Sequence, residues 1–247
     1  MLSKARIKLI QSLNQKKQRS ELKLFVVEGK KQVTELFTST YHINCLVATP
    51  EWADAHAQDI KNNTELIIVT AEELKKASLL QAPQEVLGLV EIPELDFSPE
   101  LLTNNMTILL DGIQDPGNLG TIIRIADWYG IKNIICSKDC VDIYNPKTIQ
   151  ATMGSFARVN VFYQELKDIL SQTTLPVYGA LMNGVSLHKT ELPKKAILVI
   201  GNEGKGISEA ILPHISHPIT IPRFGGAESL NAAIATAIIC DSFARTS

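Results

Sequence analysis

Ile221-Pro222-Arg223-Phe224-Gly225-Gly226-Ala227-Glu228-Ser229-Leu230-Asn231 closes one short apolar run and opens the last helix of the chain. Two earlier stretches have the same character: Asp111-Gly112-Ile113-Gln114-Asp115-Pro116-Gly117-Asn118-Leu119-Gly120, and Ile200-Gly201-Asn202-Glu203-Gly204-Lys205-Gly206. In each, a polar, glycine-bearing cluster follows a run of four to six apolar residues. That recurrence places the chemistry at the carboxyl ends of strands in an α/β sheet.

Working outward, residues 107–110, 133–136, 159–162, 177–181, 196–200 and 219–221 read as short apolar strands alternating with helices, the pattern of a parallel α/β sheet. A helix is expected over 122–129 with Asn118 as its N-cap, and another from Leu230 to about 243 with Ser229 as its N-cap. The last helix is dense in alanine and isoleucine, which suits deep packing or a subunit interface.

The first part of the chain reads differently. Ile7, Leu9, Ile10 and Leu13 form a helical stripe, and 22–29 reads as a strand ending at glycine. Helices over 31–37 and 52–60 and strands over 46–48, 66–69 and 86–90 complete a small α/β domain. The proline-bearing stretch 92–99 has no period and reads as a linker. The expected division is therefore a domain over 1–92, a linker over 93–104 and a second domain over 105–247.

With 247 residues and 45% hydrophobic content the chain can bury a substantial core. No apolar run approaches the ~20 residues of a membrane span, and the amino terminus lacks the apolar segment of a secretory signal, so a cytoplasmic address is expected. Cys45, Cys136, Cys140 and Cys240 have neither zinc-ligand spacing nor a nearby histidine. They read as structural thiols, and no metal is expected. The net charge of −2 hides an asymmetry. The first 31 residues carry nine bases against Glu21 and Glu28, an excess of seven positive charges that could neutralise RNA phosphates. A solvated helix face and a basic presequence are the competing readings of that segment.

Three clusters bear on chemistry. Arg124 falls in the second helical turn after Asn118, where an ion pair with Asp127 is the plain structural alternative. The stretch 201–206 is not a phosphate loop, because Gly206 follows Lys205 where a Walker loop needs Ser or Thr, and G-x-G-x-x-G is absent. A glycine turn carrying Asn202 and Glu203 can instead let backbone approach a ligand closely.

In this order and at these spacings the clusters resemble the SpoU family of RNA ribose 2′-O-methyltransferases, also called the TrmH family. The resemblance covers about 105–245. It is carried by Asn118-Leu119-Gly120-Thr121 through Arg124, by 200–206, and by Ile221-Pro222 with Ser229-Leu230-Asn231. Phe25-Val26-Val27-Glu28-Gly29-Lys30 also resembles the RNA-binding domain fused ahead of such enzymes. The resemblance implies a small amino-terminal α/β RNA-binding domain followed by a SPOUT-type parallel-sheet domain, knotted as a carboxy-terminal trefoil, a rare exception to ordinary chain topology. It further implies a homodimer whose sites draw on both subunits. S-adenosyl-L-methionine would be held by backbone around Leu181, Gly201, Ile221 and Leu230.

The implied reaction is attack of a ribose 2′-hydroxyl on a sulfonium methyl group, with Arg124, Asn118, Glu203, Ser229 and Asn231 as the catalytic set. A guanidinium is too weak an acid to serve as general base, so Arg124 is expected to stabilise the developing alkoxide while water or a site carboxylate takes the proton. Lys16, Lys17, Arg19 and Lys30 are the expected RNA contacts. Ribosomal RNA is favoured over transfer RNA because of the prepended domain, and a non-catalytic assembly protein on the same fold is the alternative from another class. Arg223, Phe224 and Glu228 depart from the small or apolar residues common in the family's last loop.

Overall fold

The computed structural model describes residues 2–102 and 106–245. The junction at 103–105, where the expected linker ends and the second domain begins, and the last two positions of the expected 105–247 domain lie outside the described residues. Through residue 91 the chain forms α1 (Lys4–Ser12), α2 (Lys16–Leu22), β1 (Leu24–Glu28), α3 (Lys30–Phe37), β2 (Ile43–Ala48), α4 (Pro50–Ala55), β3 (Glu65–Ile68), α5 (Ala71–Ala77) and β4 (Val86–Glu91). There follow β5 (Thr107–Asp111), α6 (Pro116–Trp128), β6 (Asn133–Cys136), α7 (Pro146–Thr152), β7 (Asn160–Tyr163), α8 (Leu166–Gln172), β8 (Val177–Ser186), β9 (Ile197–Gly201), β10 (His217–Thr220) and α9 (Ala232–Arg245).

Two compact units result: Met1–Glu94 with Asp142–Ala157, and Leu95–Val141 with Arg158–Ser247. The first holds a four-stranded sheet in the order β1-β4-β2-β3, with β4 antiparallel to β1 and β2, and β2 parallel to β3. Its central strand β4 is buried on both faces, which is why Val86, Leu87, Leu89 and Val90 read as a nearly continuous apolar run. The α1 stripe delivers Ile10, with Leu13 just beyond the helix, into a core with Val26, Cys45, Val47, Leu87 and Leu89.

Asp142–Ala157 belongs to this unit although it falls between β6 and β7 in sequence. Its Tyr144 and Phe156 rings meet Phe25 of β1 at centroid distances of 4.6 and 6.1 Å. Arg19 fixes the same segment. It is 2% exposed, donates Nε and Nη2 to Asp142 Oδ2 at 3.0 and 2.6 Å, and gives Nη1 to the carbonyls of Leu13 and Asn14 at 2.8 and 3.0 Å. Arg19 is therefore a buried clamp and not the RNA contact expected of it. A lysine run read by charge alone cannot show which of its members finds an internal carboxylate.

The second unit is a six-stranded, wholly parallel sheet in the order β10-β8-β9-β5-β6-β7. Leu109, Ile135, Val177, Ile197 and Val199 supply its core, covered on one side by Leu166 and Leu170 of α8. Between β8 and β10 the register jumps from Gly179↔Pro218 to Val185↔Ile219. Residues 180–184 are thus skipped by the ladder, and β8 runs to Ser186, beyond the 181 expected, because the exposed Met182 and Asn183 interrupt its apolar pattern.

Periodicity does not announce α2, α5, α7 or α8, since seven residues are too few to establish a 3.6-residue repeat. The helix expected over 52–60 is shorter, α4 ending at Ala55 with His56 as its cap and its ring stacked on Trp52 at 4.3 Å.

Removing the guanidinium by Arg19→Ala strands a largely buried Asp142 carboxylate and two carbonyls. The loss expected is about 3 kcal/mol of unfolding free energy, read from the urea midpoint. Arg19→Lys restores less than half of it, because one ammonium cannot reach all three acceptors. Wild-type stability in Arg19→Ala would overturn the clamp.

Candidate active site

β5 and β9 run side by side and in register to Asp111↔Gly201, so the loops after them begin at the same edge of the sheet. The loop after β5 turns into α6 at Asp115, whose Oδ1 accepts from the Asn118 backbone N–H at 2.8 Å, with Pro116 in the first helical turn. Asp115, and not Asn118, is the N-cap. The difference matters, because Asn118 then sits in the first turn with its carboxamide free.

The loop after β9 is a tight turn closed by Asn202. Its backbone exchanges hydrogen bonds with Gly206 at 3.0 and 2.8 Å, and its Oδ1 accepts from the N–H groups of Gly204 and Lys205 at 2.9 and 3.1 Å. Its Nδ2 donates to the Gly112 carbonyl at 2.8 Å, tying this turn to the β5 loop. Asp111 makes a second tie, Oδ2 accepting from the Ser208 N–H at 2.7 Å. Gly201 is required here: a β-carbon on it would lie 2.2 Å from the Gly206 carbonyl carbon.

The third loop, 221–231, leads into α9. Helix α9 begins at Ala232, and its cap is Asn231, whose Oδ1 accepts from the N–H groups of Ala233 and Ile234 at 3.0 and 3.3 Å. Ser229, the expected cap, is exposed and makes no hydrogen bond among the described residues.

These frames converge on one directional relay. Asn231 Nδ2 donates to Asn118 Oδ1 at 2.8 Å, and Asn118 Nδ2 donates to Glu203 Oε1. The carboxylate fixes which way the Asn118 amide points, since only its nitrogen can donate to an ionised acceptor. Three residues 113 and 85 positions apart in the chain thus form one polar surface. Chemically it offers an acceptor-rich carboxylate held by neutral amides, suited to receiving hydroxyl groups.

Arg124 is exposed and has no ion pair among the described residues, Asp127 being bound instead by Arg158 at 2.8 Å. At ~100° per residue it lies ~120° around α6 from Asn118 and on the same face as Trp128, four residues on. Trp128 is 84% exposed. Of the positions expected to contact a cofactor, Gly201, Leu181 and Ile221 are half-buried and Leu230 is exposed. Among the expected RNA contacts, Lys16 and Lys17 stand exposed on α2, Lys17 lying 3.8 Å from Glu21, and Lys30 opens α3 paired with Glu85 at 2.7 Å. No cluster of metal-ligating side chains occurs among the described residues. Sequence reasoning missed Asn202, Asp111 and Asp115, which touch the loop backbones. Their signal was turn chemistry, an Asn or Asp beside glycine or proline at a strand end.

Comparison with known proteins agrees with this geometry. Residues 105–241 match the family model of the SpoU rRNA Methylase family, and residues 4–88 match that of the MRM3-like substrate binding domain. The 23S rRNA (guanosine(2553)-2′-O)-methyltransferase RlmP of Bacillus subtilis is 29% identical over 95% of this chain and 94% of its own. A structure from Porphyromonas gingivalis assigned to the TrmH family of RNA methyltransferases aligns over 100% of both chains, with 38% identity and a TM-score of 0.91. The SpoU methyltransferase AviRb of Streptomyces viridochromogenes, solved in complex with AdoMet, has 26% identity and a TM-score of 0.87 over 98% of both chains.

Gly201→Ala drives a methyl group into the turn backbone and is expected to cost at least 1–3 kcal/mol of stability in denaturant unfolding. Gly225→Ala, whose β-carbon would meet nothing within 4 Å, is the control and stays within about 0.5 kcal/mol. Equal midpoints for the two variants would remove the steric argument.

Proposed function

From membership of the SpoU rRNA Methylase family, to which this chain belongs, we propose that it methylates a ribose 2′-hydroxyl of RNA, with ribosomal RNA as the substrate class. The observation that carries the reading is the Asn231–Asn118–Glu203 relay, one residue from each of the three loops, joined at the carboxyl ends of a parallel sheet. The named relatives act on 23S rRNA, which favours ribosomal over transfer RNA.

S-adenosyl-L-methionine, when bound, supplies a methyl group already activated by a sulfonium centre. The chain is suited to hold it through backbone at Leu181, Gly201, Ile221 and Leu230. Leu181 lies in the stretch that the β8–β10 ladder skips, so that ladder does not engage its backbone groups, and Gly201 presents backbone with no side chain. Glu203 and Asn118 orient the hydroxyl, with Glu203 as acceptor of its proton and Ser229 as a further hydroxyl contact. The gain is chiefly positional, since a near-attack separation of ~3–3.5 Å removes most of the entropic cost of encounter.

Arg124 stabilises the developing alkoxide, and it does so from a second copy of the chain. It shares the α6 face with Trp128, so an interface that buries the exposed indole carries the guanidinium across to the partner. The same homodimer covers Ile234 of α9, which is 51% exposed. A knotted carboxy-terminal segment and a cytoplasmic address complete the proposal, and no described helix is long and apolar enough to cross a membrane. Lys16, Lys17 and Lys30 serve the first unit in capturing RNA phosphates.

Transfer of labelled methyl from S-adenosyl-L-methionine to unmethylated 23S rRNA, followed by ribose-methylation mapping, tests the activity. A single labelled ribose is expected, whereas label on transfer RNA alone, or on a base, would refute the substrate or the chemistry. Arg124→Lys is expected to lower kcat by about 100- to 1,000-fold with cofactor affinity unchanged, the scale of one lost electrostatic contact to a developing oxyanion. Trp128→Glu should yield monomers by light scattering and abolish transfer, and an active monomer would separate Arg124 from any partner site. Lys16→Ala with Lys17→Ala is expected to flatten the salt dependence of RNA binding by about one logarithmic unit per decade of salt.

A further inference from the structure

Phe224 is 93% exposed, the most solvent-bare of the exposed large hydrophobic side chains in the described chain. Singly exposed apolar residues are ordinary on protein surfaces, so exposure by itself decides nothing. Position does. Phe224 lies in the 221–231 loop, whose first residue follows β10 and whose last, Asn231, donates to Asn118 in the relay. Residues 223–230 are all exposed, and β-carbons built on Gly225 and Gly226 meet nothing within 4 Å, so no neighbouring element covers the ring. Beside it, Arg223 gives one hydrogen bond, Nη1 to the Ala227 carbonyl at 3.2 Å, and pairs with no carboxylate among the described residues. Most of its guanidinium donors face solvent.

A bare aromatic face and a largely unengaged guanidinium, adjacent in sequence and on a loop anchored in a polar site, form the pair that binds unpaired nucleotides. The ring stacks on a base, and the guanidinium takes the adjoining phosphate. Stacking needs only the base's π-face, so such a platform holds a nucleotide in place without reading its identity. A second copy of the chain could also cover the ring, but an interface would leave the neighbouring arginine without an acidic partner from this loop, where Glu228 alone carries negative charge.

We propose that Phe224 is a stacking platform for a nucleobase of the RNA substrate at or next to the methylated ribose, with Arg223 holding the adjoining phosphate. The proposal rests on the ribose-methylation reading and deepens it. Phe224 acts as a positioning residue: it holds the nucleotide so that the 2′-hydroxyl reaches the relay and takes no part in the bond changes. The target nucleotide must then be unpaired or become so on binding, because a stacked, paired base cannot offer its face.

The test measures methyl transfer to transcribed, unmethylated 23S rRNA by the full-length wild type and by Phe224→Ala, Phe224→Leu and Phe224→Trp. Phe224→Ala is expected to lose about tenfold to a hundredfold in kcat/KM, the worth of one base–aromatic stack. Phe224→Leu, apolar but without a π-face, stays impaired, and Phe224→Trp recovers to near wild type. Affinity for S-adenosyl-L-methionine and the mass by light scattering should not change in any variant. Wild-type kcat/KM in Phe224→Ala, or full recovery in Phe224→Leu, would overturn the stack, as would a shift of Phe224→Ala to monomer, which would make the ring a subunit contact. The wild-type rate decides the enzyme reading separately. Should the wild type transfer no methyl, the same variant ratios measured by filter retention of the RNA decide the stacking.

Discussion

Two places where backbone passes backbone with no room for a β-carbon govern the catalytic half of this protein. At Gly184 a β-carbon would lie 2.4 Å from the Ile219 carbonyl carbon, and at Gly201 it would lie 2.2 Å from that of Gly206. The first crossing lets β8 run against β10 after its register jumps, and the second lets the turn after β9 fold back on its own strand. Hydrogen bonding then locks what sterics permit. Asn202 satisfies the turn's backbone groups and reaches Gly112, so the loops after β5 and β9 form a single rim. Mobile loops could not hold three distant side chains in line, and the relay depends on that rim.

Within the rim, each asparagine has two tasks. Asn231 caps α9 with its oxygen and offers its nitrogen to Asn118, while Asn118 accepts that bond and donates onward to Glu203. Helix capping and site geometry are thereby coupled: α9 cannot slide or fray at its start without moving the amide that orients Asn118. Neutral amides holding a carboxylate avoid the cost of burying a second charge, and the site stays open to hydroxyl groups. The sheet contributes a constraint of its own, since parallel strands send all their outgoing loops to one edge.

The first unit obeys a different logic. Its core would be ordinary but for Asp142–Ala157, a segment that leaves the second unit's sheet between two strands and is built into the first through Arg19, Phe25 and the buried Gln32–Gln150 contact at 2.6 Å. A charge that looked like part of a nucleic-acid surface is spent internally, while Lys16 and Lys17 one turn away remain exposed. Four hydrogen bonds to one guanidinium account for its near-complete burial.

What was legible beforehand followed from repetition and local chemistry. Short apolar runs each ending in a glycine-bearing polar cluster announce a parallel sheet with its chemistry at one edge, and Asn118, Glu203 and Asn231 stand out because they occupy those clusters. Strand existence was readable for the same reason, whereas seven-residue helices such as α5 and α7 were not, because two turns carry too little periodicity. Caps were misplaced by two or three residues, since Asp115 and Asn118, or Ser229 and Asn231, are equally good capping types and only the backbone's entry angle selects between them. The sequence by itself determined the layer architecture, the edge that carries the chemistry and the residues that furnish it. Tertiary structure alone decided that Arg19 is buried, that 142–157 belongs with the first unit, that Asn202 ties two loops together and that the relay runs from Asn231 to Glu203. Those are contacts between residues far apart in the chain, and local pattern holds no information about which distant partner will satisfy a polar group.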